Sequence, residues 1–257
     1  MNDCRTKYPI VLVHGLNSRL GSPGSFGRIP DDLRAHGAEV FVTEQDAVGT
    51  VEDNAKQLAV AFEQIRRRTG AEKLNLIAHS KGGIECRAVV SALGWGAHTA
   101  SLSMLSTPNR GLYTVSRMAR TPLFDVLSLP VDLWWHLQGD DAPDFAAAVR
   151  ELTAGSMDVF NAHHPDDPRV YYQSFGAVRG SAQKDPLMSV FGLVFDRHDD
   201  ETDGMVSPAS AAWGDYRGTL TGVSHQALCD LYRRDTADFD IRAFYRGLVK
   251  ELGQKGF

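Results

Sequence analysis

From Leu74 the chain runs Leu-Asn-Leu-Ile-Ala-His-Ser-Lys-Gly-Gly and passes into a helical pattern reaching about Leu93, with no loop between the two. A short, largely apolar run of this kind suits a strand buried on both faces. A chain that must turn from such a strand into a helix within a residue or two has few folds open to it. The turn crowds the positions two before and two after Ser80, and Ala78 and Gly82 supply the small residues required there. A serine so placed stands in the open above the C-terminal edge of the sheet. Read alone, Ala-x-Ser-x-Gly is equally an ordinary serine starting a helix, since serine is common at N-caps. The strand before it and Gly83 after it favour an exposed nucleophile.

The surrounding sequence has the matching rhythm. Ile10–Val13 predicts a buried strand, residues 30–35 a short helix stopped near Gly37, and residues 38–42 a second strand. Val51, Ala55, Leu58, Phe62 and Ile65 recur at three- and four-residue spacing and predict an amphipathic helix. Thr50 and Asp53 resemble its capping box, Arg66–Arg68 suit the negative end of its dipole, and Gly70 supplies its stop. Strands at residues 74–78 and 99–105 follow. Alternation of this type predicts an α/β protein with a mostly parallel sheet and right-handed crossovers. Between Arg110 and Asp144 the alternation stops, in a segment carrying Leu123, Phe124, Val126, Leu127, Leu129, Val131, Leu133, Trp134 and Trp135. Helices are expected near residues 144–152 and 156–161, strands at 170–176 and 216–220, and a last helix at 241–252. No repeat or linker divides the chain, so a single domain over residues 1–257 is expected.

A serine hydroxyl becomes a useful nucleophile when an adjacent histidine takes its proton, with a carboxylate orienting that histidine. Among nine histidines, His225 lies in Gly222-Val223-Ser224-His225, after the expected last strand and before the last helix, where such a base belongs. His79 adjoins the nucleophile and is expected to point elsewhere. His163, His164 and His198 read as solvated loop residues. The acid is assigned to Asp203, in Thr202-Asp203-Gly204-Met205-Val206, 22 residues before His225. Asp199 and Asp200 compete for that role, and the acidic run could alternatively be a solvated or metal-binding loop. Attack on an ester carbonyl also requires donors for the developing oxyanion. The Lys81 N–H, at a helix start, is one candidate. The Leu16 N–H, in the loop His14-Gly15-Leu16-Asn17, is the other.

Composition narrows the partners. The formal net charge of −5 is spread along the chain with no basic block, which argues against nucleic acid. No apolar run is long enough to span a membrane. Cys4, Cys86 and Cys229 are odd in number and widely spaced, and fit neither a disulfide framework nor a zinc site. With no export signal visible, a cytoplasmic location is expected; a mature secreted chain with an added start Met would look the same.

Several segments together resemble the bacterial true lipases, the triacylglycerol lipases of the Pseudomonas and Burkholderia type. They are Tyr8–Leu16, Ile29–Val40, Gly70–Gly83, Leu152–Ala162 and Asp203-Gly204-Met205-Val206. The resemblance implies the α/β-hydrolase fold, carboxylic ester hydrolysis, Leu16 and Lys81 as oxyanion donors, and an apolar lid, expected within residues 110–160. The lid residues could equally complete the core. The chain departs from the family at Ala78, where members commonly have glycine. It also departs at Ala227, where members place a calcium-binding aspartate two residues after the base. No metal or cofactor is therefore expected. An acyl ester or lipid is the expected substrate. A thioesterase or polyester hydrolase would share the machinery, and a non-catalytic ligand-binding relative would ordinarily have lost part of it.

Overall fold

The computed structural model describes residues 3–16, 26–112, 116, 119, 122–141, 143–179, 201–235 and 239–257. Asn17, His198 and the competing Asp199 and Asp200 lie outside these residues, as does part of the expected lid. The described strands are β1 (Ile10–Val13), β2 (Val40–Val42), β3 (Leu74–His79), β4 (Thr99–Leu105), β5 (Tyr171–Val178) and β6 (Asp215–Thr221). They form one parallel sheet in the order β2-β1-β3-β4-β5-β6. After β1 the chain pairs on one side with β2, then returns to place β3 on the other side. Open α/β sheets bind ligands above the strand C-termini at such a reversal. The loops following β1 and β3 are the two that carry Leu16 and Ser80.

Side-chain alternation along the strands sorts the core into two layers. Val11, Val13, Leu74, Leu76 and Ala78 pack under α2 (Val51–Thr69) and α3 (Lys81–Ala92). Ile10, Leu12 and Ile77 face α1 (Ile29–Ala35) and the C-terminal helix Ile241–Gln254. α2 has the expected ends: Thr50 Oγ1 accepts from the Asp53 N–H at 3.2 Å, and Gly70 closes the helix at φ 69°. Asn54 shares the buried face with Val51, Ala55, Leu58 and Phe62, a polar member the apolar spacing does not announce.

The segment where alternation stops contains a long helix, α4 (Pro122–Leu137), followed by α5 (Phe145–Arg150) and α6 (Ala154–His163). Phe124, Ser128 and Trp135 are buried on one side of α4, whereas Val126, Leu129, Leu133, Trp134 and Leu137 are exposed. A short helix, α7 (Pro208–Ala211), precedes β6, and the last helix, Ile241–Gln254, is α8. Among the described residues, no helix is long and apolar enough to cross a membrane.

Candidate active site

Ser80 sits between β3 and α3 with φ 55° and ψ −131°, a left-handed conformation for a residue with a Cβ. Such backbone costs on the order of 1–3 kcal/mol and persists only where its surroundings impose it. Here the Ser80 N–H is bound to the Leu105 carbonyl at 3.0 Å, and the Ser80 carbonyl accepts from the Gly83 N–H at 3.0 Å. Gly82 meets the steric demand expected of it, since a Cβ there would lie 2.3 Å from the His14 carbonyl oxygen. Ala78 is fully buried in register with Val13, so a methyl group is accommodated.

Ser80, Asp203 and His225 lie together. Ser80 Oγ is 2.9 Å from His225 Nε2, and His225 Nδ1 is 2.7 Å from Asp203 Oδ2. The contacts of the ring fix a consistent tautomer, with Nδ1–H donating to the carboxylate and Nε2 accepting from the serine hydroxyl. The second Asp203 oxygen accepts from the Met205 and Val206 N–H groups at 2.9 and 2.8 Å. The Asp203 carbonyl also accepts from the His225 N–H at 2.9 Å. Burial pushes the Asp203 carboxyl upward, but the His225 ring and the two backbone donors outweigh it and hold it below its ordinary value of 3.8. A carboxylate hydrogen-bonded on both oxygens is fit to orient an imidazole.

The loop after β1 touches Ser80 directly. A Cβ on Gly15 would lie 2.7 Å from Ser80 Cβ and 3.3 Å from Ser80 Oγ. Only glycine allows this backbone so close. Lys81 opens α3, so its N–H is among the unpaired donors of a helix start. Leu16 is half-buried against Ala47, Val48 and Trp135, and Trp135 belongs to α4.

Beneath this edge lies a polar cluster without a sequence signature. The Lys81 ammonium donates to Glu85 and to the Gly49 carbonyl, and both ends of the ion pair are about 1–2% exposed. Glu85 also accepts from Asn54 Nδ2 at 2.7 Å and from Gln45 Nε2 at 3.1 Å. Gln45 Nε2 reaches the His14 carbonyl at 2.8 Å as well. The start of α3 and the end of β1 are thus tied through Glu85 and Gln45. The (i, i+4) spacing of Lys81 and Glu85 on a helix was the available signal; on its own it describes a solvent-exposed pair.

The expectation that His79 points away needs correction. Its ring lies 4.5 Å from that of His225, tilted at 46°. Burial first, and then the neighbouring imidazole of His225, hold it well below its ordinary value of 6.5, so a neutral ring flanks that of His225. A sharp turn separates the directions of Ser80 and His79, but His225 is large enough to contact both. His163 and His164 also differ from the loop reading: His163 ends α6, and His164 stacks on Phe160 at 4.0 Å.

A parallel sheet with a strained serine turn and its histidine on the last strand-to-helix connection defines a class: the protein is an ester-hydrolysing enzyme of the α/β-hydrolase fold. Comparison with known proteins agrees. A triacylglycerol lipase of Vibrio cholerae is 31% identical, covering 83% of this chain and 78% of its own. One from Pseudomonas fragi is 31% identical, covering 81% of this chain and 83% of its own. The crystal structure of Staphylococcus hyicus lipase shares the fold at a TM-score of 0.75 and 16% identity, covering 97% of this chain and 96% of that one. The family model described as palmitoyl protein thioesterase matches residues 9–151. The chain belongs to the bacterial triacylglycerol lipase family, and over residues 9–151 to the family described as palmitoyl protein thioesterase.

Proposed function

We propose that Ser80 is the nucleophile, His225 the general base and acid, and Asp203 the carboxylate that orients it, in hydrolysis of lipid acyl esters. The observation that carries this is the unbroken chain of contacts Ser80 Oγ–His225 Nε2–His225 Nδ1–Asp203 Oδ2, at 2.9 and 2.7 Å. Ser80 Oγ attacks the ester carbonyl as its proton passes to His225 Nε2, and Asp203 stabilises the imidazolium. Charge developing on the carbonyl oxygen is received by the Leu16 and Lys81 N–H groups. The imidazolium then protonates the departing alcohol and leaves an acyl group on Ser80. Water, deprotonated by His225, attacks that acyl group and frees the acid and the enzyme.

The lipid part of the proposal rests on α4, read here as the lid. Five large apolar side chains on one helix face water, at Val126, Leu129, Leu133, Trp134 and Leu137. Its opposite side carries Trp135 and Val131 into the cluster with Leu16. Contiguous exposed apolar surface of this kind marks an interaction site, and a lipid–water interface suits a helix-borne stripe. Thioester hydrolysis is the second reading, favoured by the match to the palmitoyl protein thioesterase model. A cytoplasmic location is also part of the proposal, supported by three buried free cysteines.

The test is a p-nitrophenyl ester series from acetate to palmitate, with palmitoyl thioester beside it, on wild type and Ser80→Ala. Ser80→Ala is expected to lose roughly 10⁴ or more in kcat. Near-normal turnover by the variant would end the assignment. A rate peak at long chains that rises when substrate forms droplets supports the lipid substrate, and a peak at short soluble esters contradicts it.

A further inference from the structure

His225 begins a tight coil whose far end is held by an ion pair. Within the coil, the Leu228 N–H donates to the Ser224 carbonyl, the Asp230 N–H to the Ala227 carbonyl and the Leu231 N–H to the Gln226 carbonyl. A 3₁₀ turn at Ala227–Cys229 therefore couples Asp230 to the base five residues before it. Asp230 has a fully buried side chain and left-handed backbone, φ 52°. Its Oδ2 accepts from the Arg28 N–H at 2.7 Å and from Arg28 Nε at 2.9 Å, and its Oδ1 from Arg28 Nη2 at 2.8 Å. Three donors from one residue on one carboxylate give a fixed geometry that a point charge would not. The approach is close enough that a Cβ on Gly27 would lie 2.3 Å from the Asp230 carbonyl oxygen. Phe26, just before, packs edge-on against Tyr245, whose hydroxyl donates to the Leu228 carbonyl at 3.0 Å.

The same loop does not fit the calcium ion that the family resemblance carries with it. Position 227 holds a methyl group packed in the core with Phe26, Leu228 and Tyr245, where members place a carboxylate. The first carboxylate after the base, Asp230, is already neutralised by a guanidinium. A divalent cation there would have to displace Arg28. Arg28 is in turn shared with Asp235 at 3.0 Å, and Asp235 also pairs with Arg242 at 3.1 Å.

We infer that the Arg28–Asp230 ion pair is the positioning device for His225, an internal cation that fixes the catalytic loop without a metal ion. The inference rests on the proposed role of His225. Arg28 and Asp230 touch no substrate; they act through the coil, so their loss displaces the imidazole relative to Ser80 Oγ. A misplacement of about 1 Å at a reacting group costs roughly 10²-fold in rate.

The experiment compares wild type, Arg28→Lys, Arg28→Gln and the double variant Arg28→Gln/Asp230→Asn. It measures kcat and KM on a short soluble p-nitrophenyl ester and amide hydrogen exchange of residues 223–231, each with and without excess EDTA or calcium. Arg28→Gln is expected to lose about 10- to 100-fold in kcat with KM unchanged, and to exchange faster in 223–231. Arg28→Lys should recover part of both, because it restores the charge without the fork. Wild type should respond to neither EDTA nor calcium. The double variant leaves no uncompensated buried charge, so it folds if Arg28→Gln alone does not, and it should show the same kcat loss. Wild-type kcat and exchange in either glutamine variant would overturn the inference. So would a wild-type kcat that EDTA removes and calcium restores. If the triad reading is wrong, hydrolysis by wild type will not depend on Ser80, while the exchange measurement still reports on the strut.

Discussion

The nucleophile edge and helix α4 lie against each other and are built on opposite rules. Around Ser80 the packing is close: Gly15 and Gly82 let the backbone approach its neighbours, and the buried Lys81–Glu85 pair is bound by Gln45 and Asn54. Along α4 one side is packed into the core, while large apolar side chains on the other side are exposed. The proposed function puts reaction geometry in the first region, where Ser80, His225, Lys81 and Glu85 are buried and held by hydrogen bonds. The same proposal puts selection of substrate in the second, where apolar area is exposed. Damage to the first region should therefore act on kcat and stability, and damage to the second on the physical form of substrate accepted.

The largest expected effect separates chemistry from everything else. Asp203→Asn should lower kcat by about 10⁴ on every ester while leaving the fold intact, because the imidazole loses the acceptor that sets its tautomer. A variant within tenfold of wild type would break the distinction. Next comes Glu85→Ala, which leaves the Lys81 ammonium buried and unpaired. Loss of one partner of a buried pair costs about 3–5 kcal/mol, a loss that chemical denaturation would measure. An unchanged midpoint would mean the cluster is not the foundation described.

Two smaller effects sharpen the contrast. Leu129, Leu133 and Trp134, changed together to serine, should leave stability within about 0.5 kcal/mol per site, since these side chains already face water. The same variant should bind lipid vesicles at least roughly tenfold less well, because each apolar side chain buried in lipid is worth about 1.5–3 kcal/mol. Flotation with anionic and neutral vesicles measures this, and equal binding would refute the reading of α4. Smallest is an acid sensitivity from His14 and His79. Burial holds both below 6.5, so the folded chain keeps them neutral while the unfolded chain takes up protons. Their contribution is present above pH about 6.5 and is lost as pH falls below it. Asp203 adds a further loss once pH drops below about 3.8. A thermal midpoint that stays flat from neutrality to about pH 5 would contradict the neutral histidines.

How far the sequence reaches follows the same division. The parallel sheet and most helices are legible because hydrophobic period and end signals are local; Thr50 and Gly70 mark α2 without reference to the rest of the chain. That Ser80, Asp203 and His225 meet is legible because, in this fold, a serine turn of this kind is followed in chain order by an acid and then a histidine. The roles of Glu85, Gln45 and Arg28 are not. Their side chains are of types usually found at the surface, and only the meeting of distant segments removes them from water. Asp230 with Arg28 is the clearest case, 202 residues apart with no pattern in either neighbourhood. α4 was partly legible: its apolar content was plain, but a run apolar on nearly all sides does not say which side is covered.

The proposed mechanism requires one serine hydroxyl, activated by His225, to form a covalent acyl intermediate. A fluorophosphonate, which reacts with serines activated in this way, tests it most directly when the modified protein is digested and mapped by mass spectrometry. The account predicts one adduct, on Ser80, abolished in Ser80→Ala and strongly slowed in a His225→Ala variant. Full ester turnover with no adduct on Ser80, or an adduct formed equally fast without His225, would contradict it.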